Sequence, residues 1–293
     1  SPGRINLIGE HTDYNGGFGG LNKSDYQDCE GHDRKDYALP YGQDKLIEAL
    51  AKANAKMVYV NISGNAVAMP WRNSVPAIVQ GWYLGSEAGD ALASVLVGDA
   101  NPSGKLPFTW VKSLKQVGAH ALNTYPGVWR KEGGQQTLGN IIDEDYKEGI
   151  YVGYRWTDLK KERPEFAFGH GLSYTTFALS NLRADKYAMG RNDSIAFTVN
   201  VKNTGAKAGA ETVQLYIHDR KASVDRPVKE LKGFSKVWLE PGESKDVTIV
   251  IDNSALSFYD EAQAQWRSEN GAFEAWVGNA SDNLKLKKAF ELK

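Results

Sequence analysis

The spacing of apolar positions changes along the chain, and the change separates two kinds of structure. Before residue 100, the string GQDKLIEALAKAN (42–54) carries a stripe of apolar residues at helical spacing, formed by Leu46, Ile47, Leu50 and Ala51. The string SEAGDALASVLVG (86–98) predicts a second helix, with Ser86 as its N-cap and Gly98 at its end.

Two short apolar runs lie between these helices. MVYVNIS (57–63) and AIVQGWY (77–83) have the composition of strands that are buried on both faces. The alternation of strands with helices along this region predicts a parallel sheet with helices on its faces. Ligands of such sheets bind beyond the carboxyl ends of the strands. Here the segments SGNAVAMPW and WYLGSEAG occupy those ends.

From about residue 166, apolar residues recur at every second position, the spacing that is typical of β-strands. The string SIAFTVNVKN alternates, with Ile195, Phe197, Val199 and Val201 on one face. Further short strands follow at regular spacing, with the turn signals NTG, PGES and ENG between them. About seven strands without a helix predict a β-sandwich of the immunoglobulin or fibronectin type III kind. Residues 126–165, which contain few periodic segments, are predicted to be a connector.

Composition limits the classes of partner that the chain could bind. The formal net charge is −1, so the chain lacks the excess of basic residues that is typical of nucleic-acid-binding proteins. We find no polybasic run and no apolar run of about 20 residues, so we expect no membrane partner. Cys29 is the single cysteine, so the chain forms no internal disulfide. His120, His170 and His218 lack the spacing of metal ligands, and we expect no metal and no cofactor.

The first 17 residues, SPGRINLIGEHTDYNGG, resemble the galactokinase signature. The resemblance implies that Glu10, His11 and Asp13 bind sugar hydroxyls and that Arg4 supports the transferred phosphate. A kinase also needs a loop of small residues whose N–H groups hold the nucleotide phosphates. The nearest string, HGLSYTTF, has bulky residues at those positions, and no P-loop is present. We therefore expect this segment to have no catalytic partner in the chain.

The remainder of the chain, from about residue 18, resembles glycoside hydrolase family 3, the family of β-glucosidases and β-xylosidases. The resemblance is carried by several ordered strings: GGLNKSDYQDCEGHDRKDYALPYGQDKLI, AVAMPW, PAIVQGWYLGSEAGDALASVLVGDANPSGKLPFTW, EGIYVGYRW, EFAFGHGLSYTTF, RPVKELKGF and LEPGESKDVTI. It implies a partial α/β sandwich domain over residues 18–125 and a fibronectin type III-like domain over 166–293. Residues 1–17 stay outside it.

The family resemblance also implies a reaction. Retaining glycosidases use two carboxyl groups about 5–5.5 Å apart, one as nucleophile and one as general acid/base. The acid must stay protonated near neutral pH, so its pKa must be raised. The family's acid/base motif matches DCEGHDR, which gives Glu30 that role. Without the resemblance, Glu30 would be taken as an exposed loop carboxylate. His32 beside it could tune Glu30, but we favour a solvent-facing position.

The family's nucleophile, an Asp in a Ser/Thr-Asp-Trp motif on a (β/α)₈ barrel, has no counterpart in this sequence. The chain is therefore expected to be a C-terminal fragment of a β-glucosidase that hydrolyses terminal non-reducing β-D-glucosyl residues. It is expected to be inactive alone, and its truncated sheet to expose an unpaired edge and apolar surface. The family resemblance implies a periplasmic or secreted protein, and the sequence itself leaves the compartment open. The partner would be a β-glucoside or an oligosaccharide.

Three aromatic residues at the predicted strand ends, Trp71, Trp82 and Tyr83, could form a sugar-binding platform. Core packing is the favoured alternative for them. Two other functions remain open at this point: a carbohydrate-binding or scaffold module without catalysis, and a fragment of a galactokinase-type sugar kinase.

Overall fold

The computed structural model describes residues 36–130 and 141–293. The chain divides into two compact units. The first unit comprises Ser1–Ala100 and Val111–Leu114, and the second comprises Asn101–Trp110 and Lys115–Lys293. In the first unit the elements are α1 (Gln43–Ala53), β1 (Val58–Asn61), β2 (Ala77–Gln80) and α2 (Ala88–Val97).

The α/β prediction is confirmed for this first unit. Strands β1 and β2 pair in parallel, with Val58 opposite Ala77 and Asn61 opposite Gln80. Helix α1 buries Ile47, whereas Leu46 and Leu50 on the same stripe are exposed. Strand β1 is less buried than its apolar composition predicts, since Val58 is largely exposed and Asn61 is its buried residue. Asn61 can be buried because side-chain hydrogen bonds satisfy its amide.

Helix α2 ends as predicted and begins differently. Gly98 takes the left-handed conformation at its C-cap, with φ +87°, which glycine adopts without a Cβ clash. Ser86 is not the N-cap, because the helix starts at Ala88 and Glu87 occupies the cap position without a side-chain hydrogen bond. The turn at Gly85, whose φ is +75°, delays the start of the helix.

In the second unit, regular elements occur before the sandwich, including in the segment predicted to be a connector. They are α3 (Gly118–Ala121), β3 (Val128–Trp129), β4 (Ile142–Asp143) and α4 (Tyr154–Lys160). Strands β3 and β4 form a small antiparallel pair. Trp156 of α4 is buried against Gly118, where a Cβ would lie 3.1 Å from the indole ring.

The sandwich itself is built from antiparallel pairings with one short parallel one. Its ten strands are β5 (Phe177–Ala184), β6 (Ala188–Met189), β7 (Ser194–Asn203), β8 (Gly209–Asp219), β9 (Glu230–Leu239), β10 (Ser244–Asp252), β11 (Phe258–Asp260), β12 (Gln265–Arg267), β13 (Gly271–Gly278) and β14 (Leu286–Leu292). One sheet has the order β10-β7-β5, the other β6-β14-β13-β8-β9, and β11 pairs with β12.

The period-two prediction is confirmed in detail. All four alternating residues of β7 that the sequence assigns to one face are buried: Ile195, Phe197, Val199 and Val201. Their face packs with apolar residues of β8, β10, β13 and β14 into one core. Phe197 and Phe290 meet edge to face at 5.3 Å in that core. The sandwich has ten strands where periodicity predicts about seven. The additional strands β6, β11 and β12 have only two or three residues each, which is too short for an alternating pattern to be recognised in the sequence.

The outer face of the five-stranded sheet is also covered. Tyr216 of β8 is fully buried there and meets Tyr154 of α4 edge to face at 5.7 Å. Gln214 of β8 donates to the carbonyls of Gly169 and Asn279 and accepts from the hydroxyl of Tyr216. Helix α4 therefore belongs to the sandwich unit as a cover for β8.

Candidate functional site

The residue that the sequence favours as general acid/base, Glu30, lies outside the described residues. The same holds for His32, for Cys29 and for the whole opening segment with Glu10, His11 and Asp13. The described part of the candidate site is therefore the carboxyl edge of the β1–β2 sheet.

Four polar side chains form a hydrogen-bonded network at that edge, which we call the strand-end network: Tyr59, Asn61, Ser63 and Gln80. The hydroxyl of Tyr59 donates to Asn61 Oδ1 at 2.8 Å. The Asn61 amide then donates to Ser63 Oγ at 2.7 Å and to Gln80 Oε1 at 2.6 Å. The hydroxyl of Ser63 donates to the backbone carbonyl of Asn65, and the side-chain amide of Gln80 donates to the backbone carbonyl of Ser63. The network therefore ties the end of β1 to β2 and to the loop after β1.

The loops that follow the two strands pack against each other through two glycines. A Cβ at Gly64 would lie 2.6 Å from the Tyr83 hydroxyl, and one at Gly81 would lie 2.5 Å from Ile62 Cδ1. A side chain at either glycine would therefore require Tyr83 or Ile62 to move. Trp82, which follows Gly81, has φ +53°, a left-handed conformation that is unusual for a bulky residue. Such local strain concentrates at functional sites.

The three aromatic candidates fall into two groups. Trp71 is buried, its indole N–H donates to Asp44 Oδ1 at 2.6 Å, and its ring meets Tyr59 edge to face at 4.6 Å. Burial, with a smaller contribution from Asp44, raises the pKa of Tyr59 to about 12. Trp71 therefore occupies a core position. Trp82 is half-buried and Tyr83 is 61% exposed, so these two can meet a ligand.

The strand-end network is neutral, which limits its chemistry. Amide and hydroxyl groups orient a loop or a ligand, but they do not supply a carboxyl acid. The described residues contain no group of three or more His, Cys, Asp or Glu that could hold a metal ion. Among the same residues, no helix is long and apolar enough to cross a membrane.

Sequence reasoning did not assign Asn61, Ser63 or Gln80 to the candidate site. The signal was present, because each polar residue stands at the carboxyl end of an otherwise apolar strand. Which of them hydrogen-bond to each other follows from the parallel register of β1 and β2, since Asn61 and Gln80 face each other there.

The second unit carries a different polar arrangement around Glu230 at the start of β9. Arg226 donates to its carboxylate at 2.7 Å and Arg155 at 3.0 Å, while the ammonium of Lys232 lies 3.6 Å away. Burial alone raises the pKa of Glu230, but the three cations outweigh burial and hold that pKa below its usual value. Burial lowers the pKa of Lys232, and Glu230 opposes this effect.

Two family models match the chain. Residues 6–154 match the glycosyl hydrolase family 3 C-terminal domain, and residues 211–281 match a fibronectin type III-like domain. The first match begins inside the segment that resembles galactokinase. The second falls on the sandwich from β8 to the turn after β13, as the sequence predicts.

Curated relatives and solved structures agree with these matches. The β-glucosidase BoGH3A of Bacteroides ovatus is 49% identical over 93% of this chain, and the thermostable β-glucosidase B of Acetivibrio thermocellus is 42% identical over 93%. The chain spans about a third of the length of both, 35% and 34%. The β-glucosidase of Kluyveromyces marxianus, solved in complex with glucose, aligns with a TM-score of 0.79 and 40% identity over 90% of this chain and 30% of its own.

A family model that covers just over half of the chain, together with these relatives, decides the assignment. The chain combines the family's C-terminal α/β domain with a fibronectin type III-like sandwich, and it belongs to glycosyl hydrolase family 3.

Proposed function

We propose that this chain is the C-terminal portion of a retaining β-glucosidase that acts on terminal non-reducing β-D-glucosyl residues. The observation that carries the proposal is the 49% identity, over 93% of the chain, to a β-glucosidase. The β-glucosidase names belong to relatives about three times as long, so the activity of the whole protein is part of the proposal.

Glu30 is the general acid/base in this proposal. Its string DCEGHDR matches the family's acid/base motif, and Gly31 allows a tight backbone turn beside the carboxylate. In the glycosylation step it protonates the leaving oxygen, and in the second step it takes a proton from water. Support for a ligand site in this unit comes from the carboxyl edge of its parallel sheet.

Trp82 and Tyr83 are the sugar contacts in this proposal. Tyr83 is exposed, and Trp82 keeps a strained backbone that the packed loops stabilise. Aromatic rings commonly contact the apolar C–H face of a sugar while polar groups bind its hydroxyls. Trp71 contributes indirectly, because its hydrogen bond to Asp44 anchors helix α1.

The nucleophile is not among the residues of this chain, which has no Ser-Asp-Trp or Thr-Asp-Trp string. Without it the covalent intermediate does not form. The purified 293-residue chain is therefore expected to give no turnover of an aryl β-glucoside. Turnover that is abolished by Glu30→Gln would overturn this part of the proposal.

A second candidate is a carbohydrate-binding module without catalysis, and the exposed Tyr83 next to the strained Trp82 favours it. Calorimetry with glucose, cellobiose and xylo-oligosaccharides separates the two. Binding that is lost in Tyr83→Ala and unaffected by Glu30→Gln would favour the module. No binding would leave only the catalytic proposal to be tested in a complete enzyme.

A galactokinase-type activity rests on the opening string alone, and the family 3 match from residue 6 overlaps most of that string. Such an activity requires nucleotide binding. A thermal-shift titration with ATP and Mg²⁺ tests it, and the expected result is no shift.

A further inference from the structure

The hairpin formed by β11 and β12 presents two aromatic rings on one face. Tyr259 and Trp266 stand directly opposite each other in its register. Their ring centroids are 5.8 Å apart, and the ring planes meet at 71°. Trp266 is 71% exposed and Tyr259 is 50% exposed, so both rings reach solvent. Together the two side chains form a small apolar surface, which we call the hairpin platform.

The hairpin platform is open to a ligand. Within residues 36–130 and 141–293, the Tyr259 hydroxyl and the Trp266 indole N–H form no hydrogen bond, and neither ring contacts an aromatic ring or a cation other than its partner in the pair. An edge-to-face pair leaves at least one face of each ring uncovered by the other. Both polar groups can therefore donate to a ligand, and the hydroxyl can also accept.

The opposite face of the hairpin fixes this surface to the sandwich. The ring of Phe258 lies beneath two guanidinium groups, with its centroid 5.7 Å from Arg226 and 5.1 Å from Arg267. Arg267 also pairs with Asp260 at 3.1 Å. Since side chains alternate across a strand, these contacts hold the hairpin platform outward and keep the paired charges on the other face. The platform is therefore a neutral surface on a held scaffold.

The size of the hairpin platform argues against a protein partner. An aromatic side chain buries about 150–250 Å², so complete coverage of both rings removes at most about 500 Å². A stable protein interface buries about 800 Å² on each partner. The exposed residues that follow Asp260, Glu261–Gln265, are polar or small and do not enlarge the apolar surface. A second copy of the chain therefore gains too little area here to form a stable dimer.

A glucosyl unit fits both the size and the chemistry. The hydroxyls of β-D-glucose stand at the rim of its ring, so the two ring faces present C–H groups that can pack on an aromatic ring. The rim hydroxyls donate and accept, which matches the Tyr259 hydroxyl and the Trp266 indole N–H. The class of ligand rests on the proposed function, since the relatives of this chain are β-glucosidases.

We infer that the hairpin platform binds one or two glucosyl units of a neutral β-glucoside, with the C–H face of one sugar ring on the indole of Trp266 and with Tyr259 beside it. The platform belongs to the second unit, whereas Glu30 and Tyr83 belong to the first. It carries no carboxyl group, so it holds a ligand without taking part in hydrolysis. An open contact of this size is expected to have a Kd on the order of 1 mM.

The test uses the full chain and cellobiose, a neutral disaccharide of β-linked glucose, with the Trp266 indole N–H as the reporter in a ¹H–¹⁵N spectrum. The chain has eight tryptophans, and Trp266→Phe identifies the signal. We expect a saturable shift of that signal in the unmutated chain. Tyr259→Ala should raise Kd at least fivefold, because it removes one of the two rings.

Tyr146→Ala and Trp238→Phe are the matched controls. Both side chains are exposed aromatic residues of the second unit, and neither forms a ring contact within the described part of the chain. Each control should keep the shift and its Kd. Glu30→Gln and Tyr83→Ala should also leave the Trp266 shift unchanged, so failure here is distinguishable from failure of the proposed function.

Four results would overturn the inference. The first is no saturable shift at cellobiose concentrations well above the expected Kd. The second is a Kd that is the same in Tyr259→Ala as in the unmutated chain. The third is a shift of the Trp266 signal when the chain is diluted without a ligand, which would indicate a second copy. The fourth is saturation by a proline hexapeptide without saturation by cellobiose, which would indicate a peptide-binding surface.

Discussion

The two units bury polar groups in different ways. Among the described residues of the first unit the buried polar side chains, Asn61 and Ser63, are neutral, and they gather with Gln80 at the ends of two parallel strands. The second unit also buries charged side chains, among them Glu211 and Lys229, and the partly buried Glu230 is held by Arg226 and Arg155 on the edge strand of the sandwich. The neutral network joins loops at a predicted ligand edge. The charged cluster joins the covering helix α4 to β9.

The difference extends to apolar packing. The sandwich has one continuous core, whereas α2 of the first unit has no fully buried residue and Val97 is 72% exposed. Stability of the second unit should therefore depend on its core and its charges. Stability of the first should depend more on hydrogen bonds at the strand ends.

The largest expected effect is the loss of unfolding free energy when a core side chain of the second unit is truncated, compared with a truncation in the first unit. Phe197→Ala removes a ring that is 2% exposed and packs on Phe290, and it should lower the free energy of unfolding by about 3–5 kcal/mol. Leu50→Ala on helix α1, where the side chain is about half exposed, should cost less than ~1 kcal/mol. Urea denaturation followed by circular dichroism measures both. Equal losses would contradict the contrast between the units.

The next effect concerns the buried charges. Glu230→Ala leaves Arg226, Arg155 and Lys232 without their common partner and should cost about 3 kcal/mol. Asp246→Ala breaks an exposed pair with Arg183 and should cost ~0–1 kcal/mol. The same denaturation experiment compares them. A cost for Glu230→Ala as small as that for Asp246→Ala would show that the cluster is as solvated as a surface pair.

A smaller effect is expected at the strand-end network. Asn61→Ala removes the donor that joins Ser63 to Gln80 and leaves buried acceptors without a partner, which costs about 1–3 kcal/mol. Asn73→Ala, at an exposed position of the same unit, should stay within ~0.5 kcal/mol. Urea unfolding followed by circular dichroism compares the midpoints of the two variants. Indistinguishable midpoints for the two variants would remove the structural role of the network.

The smallest effect is in the pH dependence, where two carboxyls act with opposite signs. The pKa of Glu230 is lower in the folded protein, so its contribution is present above the unfolded pKa of about 4.3 and is lost as pH falls through the folded pKa. The pKa of Asp158 is raised by burial, so its contribution is present at low pH and is lost as pH rises through the folded pKa.

The slopes of unfolding free energy against pH between about 3 and 6 test these signs. Glu230→Gln should flatten the acid limb, because it removes a group that loses stability on acidification. Asp158→Asn should make the same limb steeper. A common direction of change in the two variants would contradict the assigned environments.

The sequence was sufficient where periodicity governs packing. The alternation in β7 and the apolar runs of β1 and β2 predicted both fold classes, and the ordered strings predicted the family. It was insufficient where partners are distant. Asp158 and Lys229 are 71 residues apart and pair only because α4 covers the sheet. The N-cap at Glu87 depended on the backbone of Gly85, which the capping preference of Ser86 does not reveal.

The central claim is that this chain supplies the acid/base of a retaining β-glucosidase through Glu30. The most direct measurement uses a chimera in which this chain replaces the matching region of the Bacteroides ovatus β-glucosidase, with Glu87→Gln as the matched control. We predict turnover of cellobiose by the chimera. Glu30→Gln should lower kcat by about 10²–10⁴ and have a smaller effect on an aryl β-glucoside, whose leaving group needs less protonation. An active chimera whose turnover of cellobiose is unchanged by Glu30→Gln would contradict the claim.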